Sequence, residues 1–269
     1  MCAIFGLGFQ KGSMFNPKDI KEVVKKLLLS CEPRGTHATG IAIANEDEVT
    51  VVKHNIRASQ FIRTKEFNES FDKHVKFTGD RENRPTTQII GHCRFQTKGS
   101  HTNNDNNHPI VCDRVIGTHN GMIGNDDVLF KGYNIKRKAQ VDSEIIFRMI
   151  ESRLDRMKES MPEAIRATAE KLSGSFACGM IDVENPWMFW MLKGSSPLSV
   201  LHYPDIGVIA YSTSGHFVEH SIKCLNPVVF KSIELVRNQA LGVNLLTSDK
   251  IKFALPDTYS KNGGCYHFC

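Results

Sequence analysis

The second residue of this 269-residue chain is a cysteine, directly after Met1. A small residue at that position permits removal of the methionine, which would make Cys2 the first residue. Thiol and α-amino group then belong to one residue, a nucleophile beside an amine whose pKa near ~8 lets it accept a proton at working pH. The plain alternative is a cysteine in a buried strand, since Cys2 to Phe9 is an apolar run with small residues. Farther along, His92, Cys93, His101, His108, Cys112 and His119 crowd one stretch and invite a metal reading. The spacing opposes it. No Cys-x-x-Cys pair and no helical His-x-x-x-His occurs there, and Pro109 keeps His108 and Cys112 off a common helical face. No metal is expected, and the Cys265, His267, Cys269 tail reads as a loose end. Gly6-x-Gly8 lacks the third glycine of a dinucleotide loop, and Gly-Lys-Ser/Thr is absent, so no nucleotide cofactor is expected either.

Elements must position these groups. The run Cys2 to Phe9 predicts a strand, and Pro17 opens a helix in which Ile20, Val23, Val24, Leu27 and Leu28 recur on one face. Gly40 to Asn45, Glu48 to His54 and Gln88 to Phe95 predict strands, residues 59–86 a charged, irregular excursion, and residues 96–109 a polar loop. Val115 to Gly117 predicts a strand that ends at His119-Asn120-Gly121, where Asn-Gly by itself would be a turn. A helix begins near Ser143, with Asp142 at its N-cap position, and a second opens at Ser160-Met-Pro-Glu163, a capping-box spacing. Strands return over 175–182, 187–192, 198–203 and 207–212. Strands, two helices and strands again point to an α+β layered fold rather than βαβ units.

The stretches Cys2-Ala-Ile-Phe-Gly6, Pro33-Arg-Gly-Thr-His-Ala-Thr-Gly40, Gly91-His-Cys-Arg-Phe-Gln-Thr-Lys-Gly99, Asn107-His-Pro109, Thr118-His-Asn-Gly121 and Val141-Asp-Ser-Glu144 follow one another in that order. Together they resemble the glutaminase domains of class II glutamine amidotransferases, members of the N-terminal nucleophile hydrolase superfamily, over residues 1 to about 215. The resemblance implies a four-layer αββα sandwich, with residues 1–240 as the amidotransferase domain and 241–269 as a C-terminal strand or tail of uncertain order. It implies that L-glutamine is hydrolysed to glutamate and ammonia through a Cys2 thioester, without metal or organic cofactor. Asn120, through its side-chain amide, and Gly121, through its backbone N–H, would form the oxyanion hole. Arg94 would grip the α-carboxylate with its guanidinium fork and Asp142 the α-ammonium; the plain alternatives are a surface ion pair for Arg94 and an N-cap for Asp142. Thr97 would help to position the substrate. Phe95 and Lys98 stand where the commoner pattern has tryptophan and histidine: Phe95 can still supply an apolar wall, while Lys98 cannot reproduce a neutral imidazole. Arg34 and Gly35 would support the N-terminal strand, and His119 belongs with them behind the site.

Composition is that of a globular protein: 41% hydrophobic, 23% charged, 34 Lys+Arg against 29 Asp+Glu. The formal charge of +5 is spread along the chain and does not argue for nucleic acid, although basic stretches at Lys73 to Arg84 and Lys131 to Lys138 leave room for a non-catalytic binding module. No apolar run reaches the ~18 residues of a membrane span and no export signal opens the chain, so a cytoplasmic protein with reduced thiols is expected. Its expected partner is a synthetase or transferase that accepts ammonia in trans. A hydrolase of the same fold acting on another γ-glutamyl or N-acyl bond is the alternative that Phe95 and Lys98 suggest.

Overall fold

In the computed structural model, which describes residues 2–13, 15–74, 85–225 and 229–258, the N-terminal apolar run forms strand β1 (Ala3–Phe9). Alternation sends its side chains to two faces. Phe5, Leu7 and Phe9 enter a core shared with helices, while Ile4 faces a second sheet. Gly6 and Gly8 share the Ile4 face, where space is the constraint. A Cβ on Gly6 would lie 2.2 Å from the Tyr211 ring, and one on Gly179, across the gap, 1.5 Å from the Tyr211 hydroxyl. Glycine on both sheets lets them close around one aromatic ring.

Among the described residues, β1 lies within a seven-stranded antiparallel sheet. Its order is β11 (Lys231–Ile233), β9 (Ser199–Tyr203), β10 (Val208–Ser212), β1, β4 (Thr87–Arg94), β2 (Ala38–Ala44) and β3 (Val49–His54). The second sheet runs β13 (Lys250–Ala254), β12 (Gln239–Asn244), β8 (Met188–Lys193), β7 (Gly174–Asp182), β6 (Val115–Ile123) and β5 (Ile110–Val111), again antiparallel. Helices α1 (Pro17–Cys31), α2 (Ala58–Phe61), α3 (Lys65–His74) and α7 (Gly215–Ile222) bury apolar faces on the outside of the first sheet. Helices α4 (Asp126–Gly132), α5 (Ser143–Ser152) and α6 (Met161–Lys171) do so on the second. The third core lies between the sheets and contains Ile4, Ile90, Ile116, Ala177 and Tyr211. These are the four layers, helix, sheet, sheet and helix, that the resemblance implies.

Local chemistry sets the helix starts. Before Pro17, Asn16 accepts the Asp19 N–H at 3.0 Å and the Asp19 carboxylate accepts the Asn16 N–H, a reciprocal cap. Glu163 accepts the Ser160 N–H at 2.8 Å at the start of α6.

Several expectations are corrected. Within 59–86 the chain is helical over α3 and the end of α2, because Phe61, Phe67 and Phe71 are buried on one side of a charged stretch. The strand through Val115 does not stop at His119. β6 continues to Ile123, with Asn120 paired to Ala177 and Gly121 to Phe176, so Asn-Gly forms no turn. Residue 240 falls inside β12, which pairs with β8, and β13 closes the same sheet. Most of the Lys73 to Arg84 stretch, and the 259–269 tail with Cys265, His267 and Cys269, lie outside the described residues. Among the described residues no helix is long and apolar enough to cross a membrane.

Candidate active site

The register of β1 against β4 pairs Ala3 with Cys93, and one further step sets Cys2 beside Arg94. Cys2 shares the face of Ile4 and so looks into the gap between the sheets. Its Sγ accepts the Phe95 N–H at 3.3 Å and donates to the Phe95 carbonyl at the same distance. Burial pushes the thiol pKa up, the Phe95 N–H and the Arg94 charge pull it down, and the Asp142 charge pushes it up again. Arg94 likewise feels both Cys2 and Asp142. These three residues, distant in sequence, therefore share one electrostatic neighbourhood.

Asn120 comes from the opposite sheet. On β6 it shares the face of Ile116, which belongs to the core between the sheets, so its carboxamide and the Cys2 thiol face the same gap. Asn120 is buried. Gly121 has φ of +151°, and a Cβ there would lie 2.0 Å from the Ser175 carbonyl oxygen. Only glycine fits that backbone. Asp142 is buried, and its side chain does not cap α5; it accepts the Ile123 N–H at 2.7 Å, which ties it to the end of β6. His119 points to the other face, with its Nδ1 2.8 Å from the Ser143 hydroxyl and its Nε2 3.3 Å from the Ser175 carbonyl. Burial holds its pKa down. It joins β6 to the start of α5, where Asp142 sits.

Arg94 is buried and is no surface ion pair. One terminal nitrogen donates to Asn107 Oδ1 at 2.7 Å, and the other to the carbonyls of Lys98 and Gly99, each at 2.7 Å. Asn107, part of the quoted Asn-His-Pro, thus emerges as the partner that orients the guanidinium, a role its sequence position did not reveal. Arg34 Nε donates to the Cys2 carbonyl at 3.3 Å, and Gly35 packs where a Cβ would lie 2.3 Å from the Cys93 carbonyl oxygen. Both support the end of β1 and β4 from behind.

The segment after β4 is different in kind. Phe95 is 46% exposed and stacks on His37, which stacks in turn on His101, with centroids 4.9 and 5.2 Å apart. His37 Nδ1 accepts the Gln96 N–H at 2.9 Å. Thr97 is exposed. The Lys98 ammonium turns to the first turn of α4, 2.6 Å from Asp126 and 3.2 Å from Asp127, and Arg137 joins both carboxylates. Cys2, Arg94, Asn120, Gly121 and Asp142 are thus brought together, while Lys98 is engaged elsewhere. His92 and His108 stack at 4.1 Å beneath Arg94, and burial pushes the His92 pKa down to about 3 and that of His108 well below its usual range. Among the described residues no cluster of three or more His, Cys, Asp or Glu could hold a metal ion. An open groove of about 590 Å³ lies elsewhere, between β3 and α3, and includes none of the residues that face Cys2.

No protein-family model matches the chain. A glutamine–fructose-6-phosphate aminotransferase of Bacillus cereus is 28% identical over 263 residues, covering 94% of this chain and 39% of its own length. A 7-cyano-7-deazaguanine synthase of Saccharolobus solfataricus is 26% identical over 260 residues, covering 95% of this chain and 50% of its own length. The glutamine phosphoribosylpyrophosphate amidotransferase of B. subtilis, solved with ADP and GMP, superposes with a TM-score of 0.63 at 15% identity, over 94% of this chain and 49% of that one. The chain spans half the length, or less, of these three proteins. Sequence relatives and shared layers agree with the ordered motifs: the chain is similar to class II glutamine amidotransferases and has the N-terminal nucleophile hydrolase fold.

Proposed function

We propose that this domain hydrolyses L-glutamine to glutamate and ammonia, with Cys2 as nucleophile once Met1 has been removed. The observation that carries this reading is that the Cys2 thiol and the buried Asn120 carboxamide face one gap, with Arg94 and Asp142 close enough to act on the thiol through their charges. The α-amine of Cys2 takes the thiol proton, and sulfur attacks the side-chain amide carbon. The carbonyl electrons move onto oxygen, where the Asn120 amide and the Gly121 N–H stabilise the charge. Collapse expels the amide nitrogen, protonated by the same amine, and leaves a thioester that water hydrolyses. Three of the five Arg94 donors hold Asn107, Lys98 and Gly99, leaving two for an α-carboxylate, and Asp142 receives the α-ammonium. Ammonia passes to an acceptor held by another domain or chain.

The test is glutaminase turnover together with intact mass. Wild-type protein should lack Met1, release glutamate and ammonia, and take up one equivalent of a glutamine-like electrophile at residue 2. Cys2→Ala should lose turnover by about 10³-fold or more and remain unlabelled. Retained Met1 in an active preparation, or a label elsewhere, would sink the mechanism. Turnover of γ-glutamyl amides above that of free glutamine would shift the substrate to another γ-glutamyl bond.

A further inference from the structure

The nucleophile and the oxyanion donors belong to different sheets, so their alignment depends on what joins β4 to β6. β5 pairs with β6 only at Ile116 and Gly117, so along His119–Gly121 β6 has a strand ladder on one side alone. His92, on the face of β4 that carries Arg94, reaches across the gap, with its Nε2 3.1 Å from the His119 carbonyl oxygen. A carbonyl only accepts, so Nε2–H is the donor. Among the described residues the other ring nitrogen of this buried imidazole has no partner, and the ring is held from behind by its stack on His108. The acceptor is the carbonyl of the peptide that leads into Asn120.

We propose, resting on the reading above, that His92 is a positioning residue for the oxyanion hole: by fixing the His119–Asn120 peptide it aims the Asn120 amide and the Gly121 N–H at the carbon that Cys2 attacks. His119 is then held from two directions, its carbonyl by the first sheet and its ring by Ser143 and Ser175. His92 touches no substrate and acts only through β6.

The test compares His92→Leu, which removes the donor, with His92→Gln, whose amide nitrogen can stand near the Nε2 position. Removal of a whole oxyanion donor lowers kcat about 10²–10³-fold, and a misaimed pair should lower it about 10–100-fold. His92→Leu should therefore lose kcat to that extent with KM for glutamine within about twofold, and His92→Gln should recover most of it. A second readout is inhibition by glutamate γ-semialdehyde. Cys2 sulfur bonds to its aldehyde carbon, the π electrons pass to oxygen, the thiol proton follows, and the adduct occupies the oxyanion hole. Its affinity should fall in His92→Leu in parallel with kcat, while glutamate affinity stays constant. If His92→Leu does not fold, His92→Asn, too short to reach the carbonyl, takes its place with the same expectations. Unchanged kcat and aldehyde affinity in the donorless variant, or equal loss of kcat, KM and glutamate affinity in both variants, would overturn the inference. Wild-type protein without glutaminase turnover would instead overturn the proposed function.

Discussion

Two segments meet over Cys2, and they are built on different principles. His119 to Gly121 lies inside a paired strand, with His119 and Asn120 buried and a backbone at Gly121 that only glycine can adopt. Arg94 to Lys98 begins at the last residue of a strand and leaves it at once, with Phe95 and Thr97 in solvent and Lys98 tethered to a different helix. Charge that develops during a reaction is stabilised best by donors that need no reorganisation, and a strand interior provides that. A substrate must enter and leave, and a segment held by a few polar contacts can yield. Under the proposed mechanism catalysis falls to the first segment and binding to the second, so variants of the first should change kcat and variants of the second KM.

Gly121→Ala should have the largest effect. Its Cβ would meet the Ser175 carbonyl at 2.0 Å in a backbone region costing about 1–3 kcal/mol for other residues. We expect kcat to fall by about 100-fold or more, with a lower Tm by circular dichroism. Gly124→Ala, three residues later and with nothing nearer than 3.8 Å, should leave both almost unchanged. Arg94→Lys comes next. Lysine keeps the charge but not the fork that holds Asn107, Lys98 and Gly99 together. With charged hydrogen bonds worth about 1.5–3 kcal/mol, KM for glutamine should rise about 10–100-fold, with kcat changed only a few-fold. A dominant fall in kcat would erase the division of labour between the segments.

The same contrast separates what the sequence makes legible from what it hides. β1 and α6 are readable because their signals are local: an alternating apolar strand with glycines at the crowded face, and a Ser-x-x-Glu cap. Asn120-Gly121 misleads because its local preference is a turn, and pairing with Ala177 and Phe176 overrides it. The helices within 59–86 are obscured because few apolar residues, Phe61, Phe67 and Phe71, carry them among charges. The ordered motifs locate Cys2, Arg94, Asn120, Gly121 and Asp142, which the fold brings together. They do not reveal that Asn107 orients Arg94 or that Asp126, 28 residues away, engages Lys98, since both are long-range contacts with no local pattern.

Beneath the junction of the two segments lie two neutral imidazoles, and acid should reach them before it reaches the rest of the core. An unfolded histidine titrates near ~6.5, whereas His92 in the fold is pushed down to about 3, and His108 moves in the same direction. The unfolded chain therefore binds more protons, and stability that is complete above the unfolded value is lost as pH falls towards the folded one. His92 should remove about 2 kcal/mol by pH 5, and His108 should add a loss of the same sign. Urea unfolding between pH 7.5 and 5 should show this loss, and His92→Gln should reduce its slope by about one proton. An unchanged slope in that variant would place the acid sensitivity elsewhere.

The smallest effect should come from Lys98, where the second segment is tied down by charge. Its ammonium bridges a nearly buried Asp126 and an exposed Asp127, and Arg137 contacts both, so removal of Lys98 still leaves each carboxylate one cation. Ion pairs this close to solvent contribute about 0.2–1 kcal/mol. Lys98→Met should therefore raise KM for glutamine only about two- to fivefold with kcat unchanged, and Lys98→Arg should restore it. Salt should weaken the Asp127 arm more than the shielded Asp126 arm, so wild-type KM at 0.5 M NaCl, a salt concentration with a Debye length of ~4 Å, should drift part of the way towards the Met variant. A loss as large as that of Arg94→Lys would mean that the tether, rather than the guanidinium, shapes the binding segment. The carbonyl of Lys98 is held by Arg94 and its ammonium by Asp126, so a single residue reports on both ends of that contact.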